Sequence, residues 1–180
     1  MVDDAKERLY MKDLYCSYYT ESDEITSYMI SKLNIKDNDI ILEPSAGEGI
    51  FIDGIINQQK NIQIDALDIN EKAVNILKKK YLDMPNVRVR LTDTLLDRQL
   101  DMYADRQLWL KITDTLEDKE LDYISDKGGY YDKIIGNPPY GANIDDLVSL
   151  YEELYPNTSH GYKDIYKYFY DFGLSICKNN

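Results

Sequence analysis

Four short stretches of the chain combine residue types that could bind a ligand or activate an amine. The first is residues 43–49 (EPSAGEG), where two glycines follow an apolar run. Asp68 and Asp93 each stand at the end of a later apolar run, and residues 137–140 (NPPY) follow the run ending in Gly136. Because ligands of doubly wound sheets bind beyond the carboxyl ends of the strands, these four positions predict one shared site.

The prolines at 138 and 139 predict a rigid, extended turn, because neither ring offers a backbone N–H to a helix or a sheet. Asn137, which precedes a proline, is also disfavoured in helical geometry. The turn therefore presents an amide side chain, proline carbonyls and the ring of Tyr140 at the end of a buried strand. A simple chain-breaking turn is the alternative, but it leaves the flanking Asn137 and Tyr140 without explanation.

The glycine turn favours a cationic ligand that carries no phosphate. Glycines allow a ligand to approach the backbone at the start of a helix. A dinucleotide fingerprint would need a third glycine where Ile52 stands, and Glu43 and Glu48 would repel a pyrophosphate. A tight strand-to-helix turn without a ligand is an equal alternative for this feature alone.

Two aspartates at strand ends are candidates for binding a nucleoside. Asp68 lies about 20 residues beyond the glycines, where a carboxylate can accept both hydroxyls of a ribose. A role at the start of the next helix is as good an account of Asp68 taken by itself. Asp93 is either a second ligand-binding carboxylate or a solvated loop residue.

Alternating helical and strand patterns predict the elements that position these residues. An amphipathic helix is expected over 24–34, and Asn70 is expected to cap a helix over 71–82. Such alternation implies a parallel sheet with right-handed crossovers. Strands are predicted over 39–44, 62–69, 87–93 and 130–137. Residues 97–127 interrupt the rhythm and predict a mostly helical insertion.

Composition limits the classes of function. A chain of 180 residues suits one domain with a sizeable core, and its net charge of −12 argues against strong nucleic-acid binding by this chain alone. Cys16 and Cys177 lack metal-type spacing, which predicts no metal and a reducing compartment. The charged N-terminus is unlike a signal peptide, and no apolar run approaches the roughly 18 residues of a membrane helix, so no membrane is expected.

The motifs EPSAGEGIF, DALDIN, LTD and NPPY, in this order, resemble those of S-adenosylmethionine-dependent methyltransferases that act on the N6 amine of adenine in DNA. YYT at 18–20 resembles the N-terminal cofactor motif of the γ-ordered branch, which includes restriction-modification enzymes. The resemblance covers residues 15–176. It implies an α/β, Rossmann-like methyltransferase domain with a mostly parallel sheet of order 3-2-1-4, helices on both faces, and a cytoplasmic location in a bacterium or a phage-infected cell.

The resemblance implies one catalytic domain over 1–180 and a binding role for each part of it. An N-terminal motif and helix (15–36) and a cofactor-binding half (39–96) precede the insertion (97–127), and the NPPY strand with its helix follows (130–176). The residues implied to bind S-adenosylmethionine are Tyr19, Thr20, Glu43, Pro44, Ala46, Gly47, Gly49, Asp68, Ile69, Asp93, Thr94, Asn137 and Phe169.

Each implied cofactor contact has a physical basis. Glu43 and the backbone N–H groups of residues 46–49 would bind the ammonium and carboxylate of the methionine end, which Tyr19 and Thr20 would cover. At the nucleoside end, Asp68 would accept the ribose hydroxyls and Ile69 would contact the adenine ring. Asp93 would accept from the cofactor's adenine amine, with Thr94 and Phe169 nearby.

The implied catalytic residues are Asn137, Pro138, Pro139 and Tyr140. An exocyclic amine of adenine is a poor nucleophile because its lone pair is delocalised into the ring. The Asn137 side-chain oxygen and the Pro138 carbonyl can accept its hydrogens and localise that pair, while Tyr140 stacks on a base flipped out of the duplex. No general base is needed, and His160 is expected to be a surface residue.

The resemblance also implies features that these 180 residues do not supply. Further strands and a target-recognition region follow the NPPY strand in the family, so the fourth strand is expected to have an unpaired edge, which a partner chain could complete. Double-stranded DNA is the expected partner, through a recognition region or subunit outside this chain. The alternatives are a methyltransferase of glutamine side-chain amides in proteins, or a non-catalytic module that binds the cofactor or a partner subunit.

Overall fold

A computed structural model describes residues 22–58, 61–97, 130–158 and 160–178 of the chain. Tyr19 and Thr20 of the N-terminal motif lie outside these residues. So does nearly all of the segment 97–127, for which a helical insertion was predicted. The fold described below is therefore that of the four ranges.

Five helices and four strands make up the described fold. The helices are α1 (Asp23–Lys32), α2 (Ile50–Ile56), α3 (Glu71–Lys80), α4 (Val148–Leu154) and α5 (Tyr166–Ile176). The strands are β1 (Ile40–Glu43), β2 (Gln63–Asp68), β3 (Val87–Leu91) and β4 (Lys133–Ile134). A short 3-10 turn, Pro156–Thr158, precedes α5. These bounds confirm the predicted elements to within a few residues, except for β4.

The four strands form one parallel sheet in the order β3-β2-β1-β4. This order confirms the expected 3-2-1-4 arrangement. In the central pair, Ile41 lies opposite Ile64 and Glu43 lies opposite Ala66. The carboxyl ends of the strands therefore meet at one edge, and this edge contains the predicted site.

Alternate residues of the central strands feed two separate hydrophobic clusters. Ile41 and Ile64 face one cluster, together with residues of α2 and α3. Leu42 and Leu67 face the other, together with residues of α4 and α5. Because side chains alternate along a strand, this partition places helices on both faces of the sheet, as expected.

Helix α3 begins where the sequence predicted. The side-chain oxygen of Asn70 accepts the Lys72 N–H at 3.0 Å, which satisfies one of the free N–H groups of the first turn. Lys78, Lys79 and Lys80 occupy the last turn, where positive charge is favourable. The helix thus connects β2 to β3 on the face of the first cluster.

The strand before NPPY is shorter than the predicted span 130–137. Only Lys133 and Ile134 pair with β1, while Tyr131 bridges in parallel to Cys177. The Ile135 N–H still donates to the Leu42 carbonyl at 3.0 Å, and the ladder ends there because the register brings Pro44, which has no N–H, opposite Gly136. The expectation of an unpaired outer edge is corrected at Tyr131, whose carbonyl accepts the Lys178 N–H at 2.9 Å.

Candidate functional site

The carboxyl ends of β1 to β4 lie against one another. The Ala46 N–H donates to the Leu67 carbonyl at 2.8 Å, which links the turn after β1 to the end of β2. The Thr94 hydroxyl donates to the Pro44 carbonyl at 2.6 Å, which links the turn after β3 to the same place. The structure therefore brings together the three cofactor-binding stretches that the sequence predicted on β1, β2 and β3.

The stretch before NPPY lies against the turn after β1. A Cβ added at Gly136 would come within 3.2 Å of Pro44 Cδ and 3.3 Å of Ser45 Oγ. Contacts this short are tight for a side chain, so glycine favours the close approach of β4 and the β1 turn. The fourth predicted stretch therefore belongs to the same edge, one residue from Asn137.

Backbone N–H groups of the glycine turn donate within the protein. Gly47 donates to Asp68 Oδ2 at 2.7 Å, and Gly49 donates to the Ala46 carbonyl at 2.8 Å. The sequence-based expectation assigned these N–H groups, with that of Ala46, to the cofactor's carboxylate. In the structure they hold the turn in shape instead, so the turn is organised before any ligand arrives.

Gly49 is fixed by close contact with the end of α3. Its φ is +86°, and an added Cβ would lie 2.6 Å from Tyr81 Oη and 2.7 Å from Leu77 Cδ2. The Tyr81 hydroxyl donates to Asp53 Oδ1 at 2.8 Å and lies 3.0 Å from the Gly49 carbonyl. Glycine is therefore required here by both conformation and space.

Lys80 completes this contact, and sequence reasoning missed it. Its ammonium donates to the Glu48 carbonyl at 3.1 Å and pairs with Asp53 at 2.5 Å. No local pattern links Lys80 to a turn 32 residues earlier, so the sequence held no signal for this contact.

Glu43 is a buried carboxyl group at the tip of β1, with 1% of its surface exposed. Its Oε2 has no hydrogen-bond partner among the described residues. Burial raises the pKa of Glu43 well above its usual value, the nearby carboxylates of Asp68 and Asp53 raise that pKa further, and Lys80 lowers it. A buried acceptor without a donor suits a cationic group supplied by a ligand.

Asp68 stands at the end of β2 and binds two backbone N–H groups, Gly47 through Oδ2 and Asn70 through Oδ1 at 2.8 Å. Burial raises its pKa, while these backbone donors lower it. Each carboxylate oxygen has a further lone pair that can accept a ribose hydroxyl. Asp68 therefore organises the glycine turn and leads into α3. Beside it, Ile69 is about half exposed.

The end of β3 supplies Asp93 and Thr94. Asp93 Oδ1 accepts the Leu95 N–H at 3.0 Å, and burial raises the pKa of this half-buried carboxyl group. Thr94 is buried, and its hydroxyl donates a hydrogen bond to the Pro44 carbonyl. Of the two, Asp93 is the residue with capacity for a ligand, and Thr94 joins two strand ends.

Around NPPY, Asn137 is partly buried and the ring of Tyr140 is exposed, with 48% of the residue's surface accessible. The Tyr140 ring contacts that of Tyr166 with centroids 5.7 Å apart. Asp164 accepts the N–H of Gly141, the next residue along the chain. Neither Tyr166 nor Asp164 was identified from the sequence, although both lie in the stretch that contains Phe169.

Phe169 and His160 belong to the C-terminal part of the described chain. Phe169 is partly buried and packs against the second hydrophobic cluster, which contains Tyr168 and Phe172. His160 is exposed, as expected.

The sequence profile of the Eco57I restriction-modification methylase family matches residues 62–180. The chain belongs to this family. The type II methyltransferase M.AccI of Acinetobacter calcoaceticus is 29% identical to this Eco57I-family chain over 133 residues, which cover 72% of the chain and 19% of that relative. The chain thus spans about a fifth of the length of this curated relative.

Solved methyltransferase structures resemble the Eco57I-family chain in part. A precorrin-6y C5,15-methyltransferase of Geobacter metallireducens matches with a TM-score of 0.43 and 15% identity, covering 72% of this chain and 55% of that chain. The 23S rRNA methyltransferase ErmE matches with a TM-score of 0.40 and 18% identity, covering 44% of this chain and 32% of that chain.

Within residues 22–58, 61–97, 130–158 and 160–178, no group of three or more His, Cys, Asp or Glu side chains could hold a metal ion. None of the helices in these same ranges is long and apolar enough to cross a membrane.

Proposed function

We propose that the protein containing this chain transfers a methyl group from S-adenosylmethionine to the N6 amine of adenine in DNA, with residues 1–180 as its catalytic core. Membership of the Eco57I restriction-modification methylase family supports DNA methylation. One observation carries the choice of an amine substrate: Gly136 brings the NPPY turn against Pro44 and Ser45. Gly136, the residue before the NPPY turn, thus lies beside the residues that follow the buried Glu43, and we expect the amide and carbonyl acceptors of the turn near that carboxyl group.

The strand tips fit S-adenosylmethionine by the chemistry of their side chains. Glu43 offers a buried, unsatisfied oxygen to the ammonium group of the cofactor. Asp68 keeps lone pairs for the ribose hydroxyls, and the half-exposed Ile69 offers an apolar surface beside them. Asp93 offers a carboxylate to the adenine amine, while Tyr19 and Thr20 remain candidates on the basis of the sequence. When bound, the cofactor supplies a methyl group on a positively charged sulfur.

Residues of the NPPY turn would activate the amine. Asn137 Oδ1 and the Pro138 carbonyl accept the two N6 hydrogens and localise the nitrogen lone pair. Pro138 and Pro139 hold these acceptors in place, so little reorganisation is needed as positive charge develops on the nitrogen. Tyr140 stacks on the flipped base and keeps it in position. The N–C bond would form as the methyl carbon–sulfur bond of the donor breaks, which leaves S-adenosylhomocysteine, and the proton lost from the nitrogen would pass to solvent.

The acidic composition of the chain favours DNA binding by other parts of the protein. A net charge of −12 opposes the approach of phosphates, since DNA affinity depends on Lys and Arg. The chain spans about a fifth of M.AccI, which leaves ample length in such a relative for a recognition region. We therefore assign double-stranded DNA as the substrate, and its recognition to a region or subunit outside these residues.

Label transfer tests the proposed function directly. The full-length protein is incubated with S-adenosylmethionine carrying a tritiated methyl group, and with either unmethylated duplex DNA or a protein extract. Digestion of the DNA to nucleosides should place the label on adenine. Label on protein glutamine would favour the amide methyltransferase, and calorimetric cofactor binding without transfer would favour the non-catalytic module.

An alanine substitution separates catalysis from cofactor binding. We expect Asn137→Ala to lower the transfer rate by about 10²- to 10³-fold, the loss seen when one preorganised hydrogen-bonding group is removed from a reacting centre. Its cofactor dissociation constant should stay within about twofold of the wild-type value. Asn143→Ala, an exposed asparagine in the following loop, is the matched control. Loss of cofactor binding in Asn137→Ala would favour the cofactor contact also implied for Asn137, or a structural role, over activation of the amine.

A further inference from the structure

We propose that Asp164 is a positioning residue for base capture: it binds the Gly141 N–H and thereby restrains Tyr140, and it contacts the backbone N–H of Tyr166, whose ring lies against the Tyr140 ring. The proposal rests on the proposed function, because it concerns the base that Tyr140 receives. Asp164 lies 24 residues beyond Tyr140 in the sequence, and it acts through Gly141 and Tyr166 rather than on the substrate.

The bond from Gly141 to Asp164 controls the direction of the Tyr140 side chain. The Gly141 N–H is shared between Asp164 Oδ1 at 3.2 Å and Oδ2 at 3.3 Å. Because the peptide between Tyr140 and Gly141 is planar, anchoring this N–H restricts ψ of Tyr140. On the other side, the ring of Pro139 restricts its own backbone. The backbone is thus restrained on both sides of Tyr140, although the ring of this residue is exposed.

Glycine at position 141 serves this anchor through its backbone conformation. Its φ is +66°, and a Cβ at this position would meet nothing within 4 Å. Space is therefore no constraint, and the left-handed conformation alone favours glycine. The chain turns at Gly141 in this conformation with its N–H facing the Asp164 carboxylate. The left-handed turn and the carboxylate act as one unit.

Asp164 also leads into the helix that carries Tyr166. Its Oδ1 lies 3.5 Å from the Tyr166 nitrogen, and its carbonyl accepts the Lys167 N–H at 3.4 Å. The Tyr166 ring, 45% exposed by residue, is tilted 44° to the Tyr140 ring at 5.7 Å. This separation lies within the range of favourable aromatic pairs. One carboxylate therefore sets the positions of two neighbouring rings.

The negative charge of Asp164 allows a positioning role to be distinguished from a purely electrostatic one. A carboxylate near a DNA-binding edge repels phosphates, so an effect of charge alone would make its removal strengthen DNA binding. Positioning predicts the opposite, because a Tyr140 freed at ψ holds the flipped base less well. A fall in transfer on removal of a negative charge therefore points to positioning.

Steady-state methyl transfer by the full-length protein shows whether removal of this charge raises or lowers activity. Wild type, Asp164→Ala, Asp164→Asn and Asp146→Ala are compared with tritiated cofactor and unmethylated duplex DNA. Asp146, exposed on the loop before α4, is the control for charge. We expect Asp164→Ala to lower kcat/KM for DNA by about tenfold, the weight of one charge-assisted hydrogen bond at a partly exposed site. The calorimetric Kd for cofactor should stay within twofold, and Asp164→Asn should recover part of the loss.

Amide exchange measures the anchor without DNA. Hydrogen exchange at Gly141, read by nuclear magnetic resonance, should be about tenfold faster in Asp164→Ala than in wild type or Asp146→Ala. Unchanged exchange at Gly141 would overturn the proposal. So would an active wild type whose Asp164→Ala variant keeps its kcat/KM, and in that case the proposed function stands. A wild type that places no label on DNA overturns both.

Discussion

At the scale of single residues, Glu43 is an acidic group whose burial does not stabilise the fold. Its carboxyl group is buried at the tip of β1, with an oxygen that no described residue satisfies. An unsatisfied buried polar atom is costly, and such atoms concentrate where a ligand or a reaction uses them. Glu43 is therefore the residue whose substitution should separate ligand binding from stability most clearly.

Replacing Glu43 by glutamine should weaken cofactor binding. The substitution keeps the shape of the side chain but removes the charge that would pair with the cofactor's ammonium group. Loss of such a charged hydrogen bond is worth about 1.5–3 kcal/mol, so the calorimetric Kd should rise by about 10- to 100-fold. Glu48→Gln, which removes the same charge from an exposed position on the same turn, should change the Kd little. Equal losses in the two variants would contradict the assignment.

The same substitution should change how stability depends on pH. The raised pKa of Glu43 means that the folded state binds its proton more tightly than the unfolded state, whose pKa is about 4.3. Tighter proton binding by the folded state therefore contributes fully to stability below that unfolded-state pKa. This contribution is lost as pH rises through the folded-state pKa of Glu43. Each unit by which the pKa is raised corresponds to about 1.4 kcal/mol.

Chemical unfolding of the ligand-free protein between pH 4 and 8 checks this sign. The unfolding free energy of Glu43→Gln, relative to wild type, should increase with pH across this window. The neutral variant should therefore be the more stable protein at pH 7, although it binds cofactor less well. Curves for the two proteins that run parallel over the whole range would show that Glu43 does not carry the effect.

At the scale of elements, the position of the glycine turn depends on α3 as much as on β1. Tyr81 and Leu77 of this region occupy the space where a side chain at Gly49 would lie. Gly49→Ala should therefore lower the unfolding free energy by about 3 kcal/mol, from a left-handed alanine and overpacking combined. Denaturant titration measures the loss.

Gly161→Ala is the matched control for backbone conformation. Gly161 also has a positive φ, +92°, but an added Cβ there would meet nothing within 4 Å. Its substitution should cost only about 1–2 kcal/mol. If both variants lose the same unfolding free energy, the contact of α3 with the glycine turn adds no cost to that of the backbone conformation.

Elements and their order followed from the sequence because local patterns specify them. Apolar runs predicted β1, β2 and β3 within a residue or two, and Asn70 predicted the start of α3. Alternation of strands and helices then predicted a parallel sheet, and the family resemblance implied its order 3-2-1-4. The strand at 133–134 came out shorter than predicted, because its partner strand β1 ends at Glu43, directly before Pro44.

Contacts between distant elements could not be predicted in the same way. Asp65 of β2 pairs with Arg88 of β3 at 2.6 Å and accepts the Tyr131 hydroxyl at 2.8 Å, a bond that spans 66 residues. The link between Asp164 and Gly141 is also remote in sequence. No period of 2 or 3.6 residues encodes such pairs, since they depend on how the folded strands and helices meet.

At the scale of the whole molecule, charge sets what this chain can do by itself. The 33 acidic residues outnumber the 21 lysines and arginines, which gives the net charge of −12. The buried acidic groups at the strand tips suit a small cationic ligand, whereas the overall charge repels a polyanion. This balance of charge supports the proposal that cofactor binding and DNA recognition lie in different parts of the full-length protein.

Residues 1–180 expressed alone should bind duplex DNA only weakly. At physiological salt we expect a Kd no tighter than the nonspecific range of about 10⁻⁴ to 10⁻⁶ M, because few phosphates can be neutralised. Fluorescence anisotropy with a labelled duplex measures this affinity, and circular dichroism checks that the chain is folded. The full-length protein should bind more tightly, with a steeper dependence on salt. Nanomolar binding by residues 1–180 would place DNA recognition within them and overturn the division of labour inferred from charge.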